Sequence, residues 1–116
     1  MFLAGRWYAV DLTAAPPEDA SRAASLDGAR LQRTVLEQVL GVGDIWTNKR
    51  IDFVGGARGT AALEQAVRSG RAAVAFAMHP VTVDDLMAIS DAGGIMPPKS
   101  TWFEPKLRDG LLVHLI

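Results

Sequence analysis

The sequence predicts an α+β fold: a mixed sheet of about four strands with about three helices packed on it. Three observations carry that expectation. Short apolar stretches alternate with segments whose apolar residues recur at helical spacing. Glycines and prolines stand between these segments, as in Gly41-Val42-Gly43, Gly55-Gly56 and His79-Pro80. Ala72 to Met78 is apolar on both parities, which suits a strand buried on both faces in the middle of the sheet.

Phe2 to Leu12 mixes aromatic and apolar residues around Arg6 and reads as a strand, with Gly5 marking a bend or hairpin. A strand so close to the first residue leads us to expect a pairing partner upstream. Thr13 to Ser25 is rich in Ala, Pro and acidic residues, and Pro16-Pro17 predicts an exposed loop. Ser25 or Asp27 is placed to cap a helix through Leu40, with Leu31, Val35, Leu36, Val39 and Leu40 on one face and Gly41 or Gly43 at its end. Arg50 to Val54 alternates as a short strand. After Gly55-Gly56-Ala57-Arg58-Gly59, Thr60 is placed to cap a helix with Leu63, Ala66 and Val67 inward and Gly70 at the stop. Thr82 is placed to cap a third helix through about Ala92, and Leu111 to Ile116 reads as a last strand.

Composition narrows the function classes. At 116 residues the chain makes one domain, able to bury roughly two-thirds of its unfolded surface. A net charge of −1 argues against a nucleic-acid coat or a polybasic membrane binder. Arg6-Trp7-Tyr8 resembles a base-stacking platform, but aromatic residues in a strand more often fill a core. With no cysteine there is no disulfide, thiolate nucleophile or Cys-based zinc site, a pattern compatible with a cytoplasmic protein. No apolar run reaches the roughly 18 residues of a membrane span, and the N-terminus does not read as a signal peptide.

Two segments are candidates for anion binding. Gly55, Gly56 and Arg58 lie between a predicted strand and a helix, where backbone N–H groups and a helix N-terminus can hold an anion, with Lys49 and Arg50 just upstream. The plain alternative is a tight turn with solvated arginines, and the spacing matches neither a Walker loop nor a dinucleotide fingerprint. In the second segment Pro97-Pro98 precedes Lys99, Ser100 and Thr101, a cation and two hydroxyls, and Glu104 follows as a possible acid, base or metal ligand. The plain alternative there is a rigid crossover with Trp102 and Phe103 in the core. His79 ends the buried strand, where cleft mouths form. His114 alternates with apolar neighbours, and no metal site follows from these two histidines.

Lys49-Arg50-Ile51-Asp52-Phe53-Val54-Gly55-Gly56, Val74-Ala75-Phe76-Ala77-Met78-His79-Pro80 and the block from Met96 to Arg108, together with Gly5-Arg6-Trp7-Tyr8, resemble the C-terminal part of a bacterial and archaeal family of uncharacterised proteins, domain-of-unknown-function family 1015. The resemblance covers nearly the whole chain. It implies a longer protein whose preceding region carries an Asp-Gly-His-His-Arg motif, similar to one in the superfamily of sulfiredoxin, chromosome-partitioning nucleotidases and free-serine kinases. That implies kinase-like phosphotransfer or nucleotidase chemistry in the full protein. This chain lacks the motif, so the resemblance makes it a C-terminal module, inactive by itself.

Two functional expectations follow. In the first, Lys99, Ser100, Thr101, Arg58, Arg50, Lys49, Gly55 and Gly56 contribute contacts to a phosphorylated small molecule or nucleotide, in a cleft completed by the preceding region. In the second, the chain is a structural or interaction module that pairs with another domain or a second copy of itself. No cofactor is named by either.

Overall fold

The computed structural model describes residues 1–14, 16–17, 19–97 and 100–101. The chain opens with a hairpin: β1 (Phe2–Leu3) and β2 (Arg6–Trp7) pair antiparallel, Phe2 opposite Trp7 and Leu3 opposite Arg6. Ala4 and Gly5 make the turn at φ 49° and 80°. Positive φ at both positions matches the right-handed twist of the flanking strands. Met1 and Tyr8 extend the ladder by exchanging hydrogen bonds of 2.8 and 2.9 Å. Phe2 and Trp7 are therefore a non-hydrogen-bonded pair, in which side chains approach most closely. Their ring centroids lie 5.1 Å apart at a tilt of 52°.

β3 (Val74–Ala75) pairs antiparallel with the other side of β1, giving the order β2-β1-β3. The α+β class holds. Among the described residues there are three strands and four α-helices, roughly the expected counts, but the sheet is antiparallel rather than mixed and has β1 rather than the Ala72–Met78 segment at its centre. Ala75 is buried opposite Phe2 in the sheet, whereas Ala73, Ala77 and Met78 are exposed. A run of alanines reads as apolar on both parities without giving either face much bulk to bury.

α3 (Gly59–Arg68) lies across β1 and β3, with Leu63, Ala66 and Val67 half-buried against them. It is tied to the hairpin by polar contacts. The Trp7 indole N–H donates to Glu64 Oε1 at 2.9 Å, Glu64 Oε2 pairs with Arg68 at 3.0 Å, and the Arg68 guanidinium stands 5.7 Å from the centroid of the Phe2 ring. Gly70, at φ 75°, ends this helix as expected. Thr60 does not cap it. A 3-10 turn over Gly56–Arg58 runs directly into the helix, and Arg58 holds the cap position without a side-chain bond.

A second group of helices forms the rest. α1 (Arg22–Ser25) falls at the end of the segment expected to be loop, because the Ser21 hydroxyl accepts the Ala24 N–H and caps it. α2 (Asp27–Leu31) follows after Leu26, with neither Ser25 nor Asp27 capping it, and continues as a π-helical stretch over Gln32–Glu37. Gly41, at φ 64°, closes it. α4 (Val83–Asp91) starts at Thr82 as expected and ends at Gly93, at φ 68°, where the Gly93 and Gly94 N–H groups bond the Ser90 and Ile89 carbonyls at 2.9 and 2.8 Å. α1 lies against α2 and α4. Among the described residues, no helix or strand of this group lies against the sheet or α3.

Arg50 to Val54 is not a strand. The Asn48 side chain accepts the Arg50 N–H and the Asp52 side chain accepts the Phe53 N–H, local bonds that draw the backbone away from a ladder. The expected strand Leu111–Ile116 lies outside the described residues, as does His114.

Candidate functional site

Two clefts flank α2. The first, of about 240 Å³, is lined by Arg22, Ser25, Leu26, Asp27, Gly28, His79, Pro80, Val81 and Asp85. Its floor is built at the start of α4. The Asp85 N–H donates to the Thr82 hydroxyl oxygen at 3.1 Å, while the Thr82 hydroxyl and N–H donate to Asp85 Oδ2 at 2.7 and 3.1 Å. This reciprocal cap buries Asp85 to 6% exposure. Its other oxygen, Oδ1, accepts from Nε of Arg22 on α1 and forms an ion pair with that guanidinium. The Thr82 donors hold the Asp85 carboxyl below its usual value against the opposing effect of burial, and Arg22 adds to the lowering. The Arg22 side chain remains 57% exposed. Its second terminal nitrogen has no partner among the described residues, so its N–H groups remain available to a guest acceptor. His79 also lines this cleft, but it is exposed and does not end a buried strand, since β3 stops at Ala75.

The second cleft, of about 290 Å³, is lined by Gly28, Ala29, Gln32, Glu37, Gly43, Asp44, Ile45, Trp46 and Pro97. Gln32 is its organising residue. Its Nε2 donates to Glu37 Oε1 at 2.9 Å and to the carbonyls of Gly43 and Val42 at 2.8 and 3.3 Å. Gln32 and Glu37 are five residues apart. On an α-helix they would point about 140° away from each other. The π-helical stretch brings them together.

The predicted anion-binding residues sit elsewhere. Gly55, Gly56 and Arg58 form the exposed turn before α3, and Lys49 and Arg50 lie in an exposed turn upstream. The Ser100 hydroxyl donates to the Pro97 carbonyl at 2.7 Å, and Thr101 is exposed. Among the described residues no hydrogen bond or ion pair links these three segments, and none of their candidate residues lines either cleft. Lys99 and Glu104 lie outside the described residues.

Sequence reasoning missed Arg22, Asp85, Gln32 and Glu37. The spacing Thr82-x-x-Asp85 is a visible capping-box signal. The Arg22 partnership spans 63 positions and leaves no local trace. The π-helical stretch has no composition cue. Among the described residues, no three metal-ligating side chains converge, and no helix is long and apolar enough to cross a membrane. No family model, curated protein or solved structure matches this chain.

Proposed function

We propose that the chain is an interaction module that docks onto a second protein domain, which covers apolar surface that this fold leaves open. The observation that carries this reading is the balance of exposure among the described residues. Six hydrophobic residues are buried, Phe2, Leu26, Leu31, Val42, Ala75 and Ile89, while Val39, Trp46, Val83, Met87 and Ile95 are each more than half exposed. A chain of this length ordinarily buries most of its large apolar side chains. Among the described residues no helix or strand of one group lies against the other, which supports the same reading. We take the occupant from the resemblance to family 1015: the region that precedes this part in the family.

The test is a urea titration of the full 116-residue chain, with and without 8-anilinonaphthalene sulfonate. Strong dye fluorescence before the unfolding transition is expected, lost when the family's preceding region is supplied in fusion. A single steep transition with no dye binding overturns the proposal.

A second reading, anion contacts to a phosphorylated ligand, draws on one observation. α3 begins without a capping side chain and without an acidic residue in its first turn, directly after the glycine turn and Arg58. Its N-terminal N–H groups are placed to meet a phosphate. Titrating phosphate and ATP into labelled protein tests it: shifts confined to residues 55–60 support it, and their absence rejects it.

A further inference from the structure

We propose that the outer edge of β3 is the docking site for a fourth strand, supplied by this chain's own Leu111–Ile116. The inference concerns the sheet and stands apart from the docking reading, which rests on the helical group. Its first support is the edge itself. Met1 and Tyr8 exchange hydrogen bonds across one side of β1. The N–H and C=O of Phe2 therefore turn to the other side, toward Ala75. Ala75 then directs its own backbone groups at β1, and those of Val74 point to the outer edge. Among the described residues no backbone hydrogen bond reaches that edge. Val74 and Phe76 are half-buried beside it. Such an edge is a template for a further strand.

The second support is the face of the sheet that α3 leaves bare. By register Leu3, Arg6 and Val74 share the face opposite Phe2, Trp7 and Ala75. α3 covers the Phe2 side, where Trp7 meets Glu64 and Arg68 stands over the Phe2 ring. Among the described residues no other helix or strand outside the sheet lies against β1 or β3, and Leu3 is 40% exposed. Each described strand has two residues, well short of the usual five or six.

The third support is the fit of the occupant. Leu111-Leu112-Val113-His114-Leu115-Ile116 lies outside the described residues, and it follows the turn signal Asp109-Gly110. Both of its parities are apolar apart from His114. That suits a strand with one face toward α3 and the other beside Leu3 and Val74. The run can also reach the edge. His79, four residues beyond Ala75, lines the first cleft, Pro97 lines the second, and Gly28 belongs to both. Residues 102–110 span up to about 30 Å when extended.

The experiment uses the isotope-labelled full chain. Backbone nuclear Overhauser contacts between residues 111–116 and residues 73–76 are expected. The Val74 amide should exchange with deuterium at least about tenfold more slowly than an exposed amide. Val113→Pro and His114→Pro occupy adjacent positions, so one of them removes an N–H that faces β3. That variant should speed exchange at Val74 about tenfold, with a smaller change at Ala75, which is held by Phe2. Spectra of mixed labelled and unlabelled chains separate the possible occupants. Contacts within one chain support the proposal. Contacts only between chains mean that a second copy covers the edge, and they overturn it. Absence of contacts at Val74, contacts at the Trp7 edge instead, or unchanged Val74 exchange in both variants also overturns it.

Discussion

Ala4 sits at φ 49°, a backbone region in which a Cβ clashes with the following carbonyl. Asparagine tolerates it better, and Asn-Gly is the favoured pair for this hairpin turn. Ala4→Asn should therefore stabilise the fold by about 1 kcal/mol in urea denaturation. Gly94 is constrained by space instead. A Cβ there would lie 3.1 Å from Ile89 Cγ2 and 3.2 Å from the Ile89 carbonyl oxygen. The oxygen already accepts the Gly94 N–H and Ile89 is buried, so neither yields easily. Gly94→Ala should destabilise by about 1 kcal/mol or more, read in the same assay. Asp85 gives a pH dependence. Its folded carboxyl titrates below the usual 3.8, so it stabilises the fold at neutral pH. That contribution is lost as pH falls below 3.8 through the depressed folded value. The stability gap between the native chain and Asp85→Asn should narrow as pH is lowered from about 7 to about 3. A gap that stays constant would show that ionisation of Asp85 does not contribute.

Helix ends were more legible than helix interiors. Thr82, Gly41, Gly70 and Gly93 act at or near the positions their residue types suggest, because caps depend on one side chain or one φ value. Thr82→Ala should cost about 1 kcal/mol and release the Arg22 clasp, visible as faster amide exchange in both α1 and α4. The interior of α2 was not legible. Its apolar spacing assumed about 3.6 residues per turn through to Leu40, and the π-helical stretch turns the residues beyond it to a different face. Val39, expected inward, is 72% exposed. Arg50 to Val54 failed for a related reason: side-chain bonds from Asn48 and Asp52 outweigh a weak alternation.

Across the whole molecule, stability in the hairpin half rests on few residues. Phe2 is 1% exposed and touches the hairpin, β3 and α3 at once through Trp7, Ala75 and Arg68. Phe2→Ala should cost about 3–5 kcal/mol, a large part of the stability of any small domain. Loss of the cooperative urea transition is the expected result, and a change under about 1 kcal/mol would show that the residue's burial does not support the fold. The sequence by itself determined the α+β class, the hairpin at Gly5, the start of α4 and most helix stops. Each depends on residues adjacent in the chain. The order of strands, the Arg22–Asp85 clasp and both clefts were decided only by the tertiary structure. They join positions far apart in the chain, and the energy of such contacts depends on what each side chain meets, which local spacing does not encode.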